Sequence, residues 1–315
     1  IDGSFVSVNM RTDSTVSISQ SFITELLVVY ETLSEVTTDY QKDWNLVGLP
    51  VGIDHDDYRN LFEAGMSNTL YSFDQSYVPR TSLENGRGYW LRMSQANTQT
   101  FKGRPLGSVQ APLEAGWNII SGPEGVLNAA SILDPDGVIV SGTLYGFVGT
   151  YVPAQTLEPG KGYWIRASKA GTITLDLNAP PPPPSKARGA DPAGYRLEFR
   201  SGQAVSSILL DAELDDGRSY ELPPRPVRGA FDVRLEDQRW ATEASSAVVL
   251  VQGSAGQATV LSVKDASGRG EGGAAGGHAI HRLWACAGAG TGAGVPVAGA
   301  QPRGHGTDHR RPALR

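Results

Sequence analysis

Cysteine is almost missing from this chain: Cys286 is the only one in 315 residues. An internal disulfide is therefore impossible. Many exported bacterial proteins manage without disulfides, so this constrains the compartment little. Long apolar runs are also missing. Spanning a bilayer as a helix takes about 18 or more apolar residues, and the longest apolar patch, residues 26–30, is strand-sized. No membrane span is expected. Lysines are sparse and scattered, the net charge is −6 and the pI is near 5.4. Phosphate backbones demand clustered Lys and Arg, so no nucleic-acid partner is expected. The chain opens at Ile1 with neither Met nor a signal-peptide pattern, which reads as a piece of a longer secreted protein whose residues 1–34 end a preceding β domain.

Catalytic signatures are lacking too. His55 is the only histidine before the last 50 residues. It sits among aspartates, and no G-x-S-x-G elbow accompanies it. Paired carboxylates for glycosidic chemistry exist in number, but no domain is large enough for a deep cleft. The acidic stretches at 54–57 and 134–137 invite a calcium reading. Neither has the full loop spacing, so helix cap and β-turn are the default readings. The glycine-rich stretch at 268–273 lacks the Gly-Lys-Ser/Thr of a phosphate loop. No catalytic residue, metal ligand or cofactor is assigned, and the chain reads as non-enzymatic.

What the sequence does contain is a repeat. "DWNLVGLP" at 43–50 matches "GWNIISGP" at 116–123 with an offset of 73. "TLYSFDQSYVPRTSLENGRGYWLR" at 69–92 matches "TLYGFVGTYVPAQTLEPGKGYWIR" at 143–166 with an offset of 74. Such self-similarity marks duplicated units, here 35–107 and 108–178. Trp44, Leu46 and Gly48 alternate with Asn45, Val47 and Leu49, as in a strand. Asp54 or Asp56 is placed to cap a short helix carrying Tyr58, Leu61 and Phe62, and Asn128 stands at the matching place. Gly86 and Gly160 lie in loops that call for positive φ. The Tyr-Val-Pro at 77–79 and 151–153 is expected to begin a turn.

The last strand of each unit is Gly-Tyr-Trp-aliphatic-Arg. Tyr89, Leu91 and Met93 share one face with their counterparts Tyr163, Ile165 and Ala167; Trp90, Arg92, Trp164 and Arg166 take the other. Same-face neighbours stand about 6–7 Å apart, which places each Arg to lie over an indole. The aromatic set Trp44, Tyr89, Trp90, Trp117, Tyr163 and Trp164 has two readings. It marks the small core of each unit, with Gly86, Gly88, Gly160 and Gly162 as further landmarks. Alternatively, Trp90, Arg92, Trp164 and Arg166 form a platform for stacking a carbohydrate, the repeats then being carbohydrate-binding modules appended to an extracellular hydrolase and the partner a polysaccharide or another component of the cell envelope.

Residues 179–193 form a linker with five consecutive prolines at 180–184. Such a stiff spacer is expected to keep domains apart, with no site bridging it. Residues 194–265 read as a β-sandwich: 195–200 and 231–236 alternate apolar-in, polar-out, and 220–229 is too proline-rich for a central strand. Residues 266–315 turn glycine-rich without periodicity and read as a disordered or out-of-frame tail. The fold class expected is all-β: two tandem small β modules, each with a short helix, then a proline linker, a β-sandwich domain and that tail.

The landmarks "GWNIISGP…YVPAQTLEPGKGYWIR" resemble "GWNL…PGKGYW" modules found near the C-terminal ends of large secreted or surface-attached bacterial proteins. Many of those are exported by the type IX pathway. The stretch at 220–237 resembles the β-sandwich segment that often follows them. The resemblance covers roughly 35–265. It implies an extracellular or cell-surface spacer or display segment behind a variable N-terminal region. The chain departs from that pattern where a C-terminal sorting domain would be expected.

Overall fold

The computed structural model describes residues 32–53, 57–180, 192–215, 219–245, 247–253 and 259–264. Their regular secondary structure is almost wholly antiparallel strand, an all-β fold. No helix among the described residues is long and apolar enough to cross a membrane.

The two repeats fold alike. In the first, a four-stranded sheet runs in the order Asp43–Gly48, Gly88–Met93, Tyr71–Asp74, Ser76–Pro79. In the second the order is Gly116–Ser121, Gly162–Ala167, Tyr145–Phe147, Tyr151–Pro153. Each unit adds a two-stranded ribbon, Ser34–Tyr40 with Asn97–Gly103 and Ser108–Leu113 with Gly171–Asp176. The Tyr-Val-Pro segments are strands rather than turns. Each pairs back on the strand before it, because the tight reversals at 74–76 and 147–151 come earlier.

The repeat's landmark residues have separate mechanical tasks. Asn45 Nδ2 donates to the carbonyls of Gln41 and Asp43 at 2.7 and 2.9 Å, and its Oδ1 accepts from Gln41 N at 3.0 Å. Asn118 makes the same three bonds around Glu114 and Gly116. This clip closes the turn ahead of the strand, in which Asp43 and Gly116 both take positive φ, 72° and 98°. Tyr89 and Tyr163 point into their own cores, where each hydroxyl accepts a backbone N–H, from Glu84 at 3.0 Å and Glu158 at 2.9 Å. Gly86 and Gly160 sit in those same loops at φ 83° and 78°.

Short helical turns fall where expected. Asp57 caps Tyr58–Leu61 by accepting from Arg59 N, and Asn128 caps Ala129–Ser131 by accepting from Ala130 N at 2.9 Å. The first cap is thus Asp57, one or three residues later than anticipated; Asp54 and Asp56 lie outside the described residues. Hydrogen bonds to Arg59 hold the Asp57 carboxyl down at about 2. The stretch at 134–137 is a turn: Asp134 accepts from Val138 N and Ile139 N at 2.9 and 2.8 Å.

The third unit joins Ala204–Leu210, Tyr195–Ser201 and Thr259–Lys264 in one sheet and Asp232–Leu235 with Val249–Gln252 in another. One expected alternation fails here. Asp232 and Arg234 are not on an outer face but buried, at 3% and 0% exposure. They face inward because they satisfy one another: Arg234 Nε and Nη2 donate to the two Asp232 carboxylate oxygens at 2.6 and 2.8 Å. Arg234 Nη1 adds bonds to Pro223 O and Gln238 Oε1 at 2.8 and 3.1 Å. Such full pairing is the condition on which a buried guanidinium is tolerated.

Three cores result. One lies inside each repeat, around Val47, Tyr89 and Leu91 in the first and Ile120, Tyr163 and Ile165 in the second. The third is shared: Leu46, Trp90, Ile119, Tyr145, Tyr151 and Trp164 of the repeats form one continuous cluster with Leu197, Phe199, Ile208, Phe231 and Val233 of the third unit. The expectation that the linker keeps the domains apart is therefore overturned. Residues 181–191 lie outside the described residues, but the units on either side of them share a core, because each repeat has a second apolar sheet face to cover.

Candidate functional site

Strand alternation gives the Gly-Tyr-Trp segment two faces. With Tyr89, Leu91 and Met93 turned into the first unit's own core, Leu46 and Trp90 must point the other way. The second unit presents the same face through Ile119 and Trp164. Two apolar sheet faces of one shape, tethered in one chain, bury each other.

They do so around an internal twofold axis. Gly48 and Ser121 are equivalent positions, and they touch: a Cβ on Gly48 would stand 2.2 Å from Ser121 Cβ. Gly88 and Gly162 are equivalent, and they touch as well: a Cβ on Gly88 would lie 3.2 Å from Gly162 Cα. A residue meeting its own counterpart is the mark of an isologous, twofold contact. Off the axis the contacts come in matched pairs. Gly48 N donates to Gly160 O at 2.9 Å, and Ser121 N to Gly86 O at 3.1 Å. Trp90 meets Phe147 edge-on at 4.7 Å between ring centroids, and Trp164 meets Phe73 at 4.9 Å. Edge-to-face pairs of this kind contribute about 0.5–1.5 kcal/mol each beyond the area they bury. The match is imperfect in the hydrogen bonds to the 159–160 loop. Thr38 Oγ1 and Tyr40 Oη donate to Pro159 O and Gly160 O at 2.8 and 2.6 Å, while their counterparts, Ala111 and Leu113, have no hydroxyl to offer.

The paired sheets form a cradle for the third unit. Tyr77 and Tyr151, again equivalent, donate their hydroxyls to consecutive carbonyls of the proline-rich segment: Tyr77 to Arg225 O at 2.6 Å and Tyr151 to Pro224 O at 2.7 Å. Proline-rich backbone offers carbonyls without competing N–H groups, so two phenols suit it. Burial raises the pKa of both phenols and outweighs the opposing pull of the Arg234 guanidinium. Both therefore stay protonated donors across the ordinary pH range. Further out, Glu221 bridges Trp117 Nε1 at 3.4 Å and Arg166 Nε at 3.5 Å. Where the second unit's hairpin bends, a Cβ on Gly149 would come within 3.1 Å of Ala204 Cβ.

The residues singled out for sugar stacking are thus placed differently from that reading. Trp90 and Trp164 are both 0% exposed, deep in the seam. A pyranose ring stacks on an open aromatic face, and neither indole has one. Burial is enforced by the repeat itself, since each Trp is covered by the other copy's Phe. Arg92 and Arg166 lie at the rim and bind carboxylates: Arg92 pairs with Asp43 at 2.9 Å and Arg166 with Glu221. Trp44 and Trp117 pack edge-on against Trp90 and Trp164 at 6.4 and 6.3 Å.

Sequence reasoning missed Tyr77, Tyr151, Phe73, Phe147, Glu221 and the Asp232–Arg234 pair. A usable signal was present. The two tyrosines and two phenylalanines recur at the same offset of 74 as the Gly-Tyr-Trp strand, on hairpins whose inner faces the units' own cores do not need. Searches with this chain find no matching family model, no matching curated protein and no matching solved structure.

Proposed function

We propose that this chain is a non-catalytic structural and interaction segment of a larger secreted bacterial protein, working outside the cell or on its surface. In this reading the tandem repeat is an internal dimer that clamps the β unit following it. The result is a rigid strut rather than a string of independent modules. The resemblance of the "GWNIISGP…PGKGYW" landmarks to modules of secreted and surface-attached proteins, many of them type IX substrates, supports the location. The clamp is supported chiefly by one observation: Tyr77 and Tyr151, one from each repeat, converge on adjacent carbonyls of a segment across the linker. Joint use of both copies explains why a duplicated module is kept in tandem, since one copy alone provides half of the cradle.

Limited proteolysis followed by native gel filtration tests this. Protease is expected to cut within the proline linker and after residue 266. The nicked repeat pair and the third unit are then expected to elute together, and to part only in denaturant. Separation of the two pieces under native conditions contradicts a clamp and returns the chain to independent modules.

A further inference from the structure

Duplication copies every surface, and the third unit uses only one copy of a site that exists twice. In the second repeat, Glu221 is held between Trp117 and Arg166. The corresponding residues of the first repeat are Trp44 and Arg92. Strand register is the same in both: Trp44 stands opposite Arg92, and Trp117 opposite Arg166. The ring geometry is the same as well. Trp44 and Tyr71 have centroids 6.1 Å apart, and so do Trp117 and Tyr145.

The occupants differ. Beside Arg166 the turn residue is Gly116, which has no side chain, and the guanidinium takes Glu221 from another unit. Beside Arg92 the turn residue is Asp43, whose Oδ1 accepts from Arg92 Nη2 at 2.9 Å and Nε at 3.2 Å. Asp43 reaches there from a left-handed backbone, φ 72°, that glycine adopts at less cost. The Arg92 and Asp43 side chains are 36% and 51% exposed. An ion pair so open to water and salt is weak and readily exchanged, as is the Arg166–Glu221 pair at 37% and 36% exposure, so the two carboxylates compete on similar terms. Tyr71 is only partly buried, whereas Tyr145 is 1% exposed.

The geometry points to the Trp44–Arg92 face as a second docking site for a glutamate carried on the edge of a partner β domain, with Asp43 as the resident carboxylate that keeps it closed. The inference rests on the clamp described above, in which Glu221 shows what such a face takes. An incoming carboxylate displaces Asp43 from Arg92 and receives the Trp44 indole N–H, as Glu221 does at Trp117. The proline-rich stretch that follows Glu221 in this chain is engaged by Tyr77 and Tyr151 near the axis, so the partner is recognised chiefly through its acid and the strand around it.

A synthetic peptide of residues 219–229, titrated calorimetrically into the intact chain, tests the site. The Asp43→Gly chain is expected to bind it at least fivefold more tightly than the natural chain. Adding Arg92→Gln to Asp43→Gly is expected to abolish that gain, and so is Glu221→Gln within the peptide. Equal binding to the natural and Asp43→Gly chains overturns the proposal, as does equal binding of the Gln peptide or no binding to Asp43→Gly at all. The contact of the Tyr151 ring with Pro224, followed by NMR in the same samples, separates the two levels. If it persists while the peptide fails to bind, the second site is wrong and the clamp stands; if it is lost, the clamp itself has failed.

Discussion

Alanine at Gly88 puts the twofold seam under direct stress. The added Cβ would lie 2.4 Å from Ile119 Cγ2, 2.6 Å from Ile120 O and 3.2 Å from Gly162 Cα. The isoleucine methyl can turn away. The carbonyl and the Cα belong to the second unit's backbone, which moves only if the two sheets part. Overpacking a fitted interior costs about 1–3 kcal/mol, and a backbone obstacle places Gly88→Ala near the top, at about 3 kcal/mol. Against a typical total of roughly 5–15 kcal/mol this is a large fraction. For bodies of this size each kcal/mol moves the melting point by about 2–4 °C, so a fall of roughly 6–12 °C is expected. Gly107→Ala is the control, because its Cβ would meet only Asn178 Nδ2, at 3.9 Å. Thermal unfolding followed by circular dichroism and tryptophan fluorescence reads both. If Gly88→Ala melts within a degree or two of Gly107→Ala, Gly88 is not in a tight seam and the packing argument fails.

The buried Asp232–Arg234 pair makes a second test. Asp232→Ala leaves a guanidinium with 0% exposure without its carboxylate, at a cost of about 3–5 kcal/mol; urea unfolding measures it, and a loss below about 1 kcal/mol refutes the burial. The cradle also predicts a response to alkali. The Tyr77 and Tyr151 phenols are raised by burial above the ordinary value of about 10, so their contribution is intact below pH of about 10 and is lost as the pH climbs through the raised values. The nicked chain is therefore expected to come apart on gel filtration well above pH 10. The Tyr77→Phe, Tyr151→Phe double variant lacks both hydroxyl donors, at roughly 0.5–1.5 kcal/mol each, and should show a smaller alkaline step; an unchanged step assigns the effect elsewhere.

The all-β fold was legible because strand signals are local. Alternation around Trp44 and Trp90, the Asn128 cap and the positive φ at Gly86 and Gly160 all follow from a few neighbouring residues. The repeat was legible because identical residues keep their spacing. What alternation cannot reveal is what covers a face. It separates Trp90 from Tyr89 correctly but says nothing of whether water, sugar or another sheet meets the indole. Twofold packing decides that, and its cue was in Gly48, Gly88 and Gly162: glycines at or beside strand ends, where no turn asks for them, make room for another backbone. Asp232 and Arg234 were misread for a related reason. A period of two assigns charges to solvent, and only tertiary contact with Pro223 and Gln238 shows that they pair inside.

The seam between the two copies can be observed directly in solution. In nuclear Overhauser spectra of the intact chain, the Trp90 indole should show cross-peaks to the Phe147 ring and the Trp164 indole to the Phe73 ring, from centroid separations of 4.7 and 4.9 Å. The contact between Trp44 and Trp90 within one unit, at 6.4 Å, is the internal reference. If that reference is seen while both cross-unit pairs are missing, the repeats do not pack on one another.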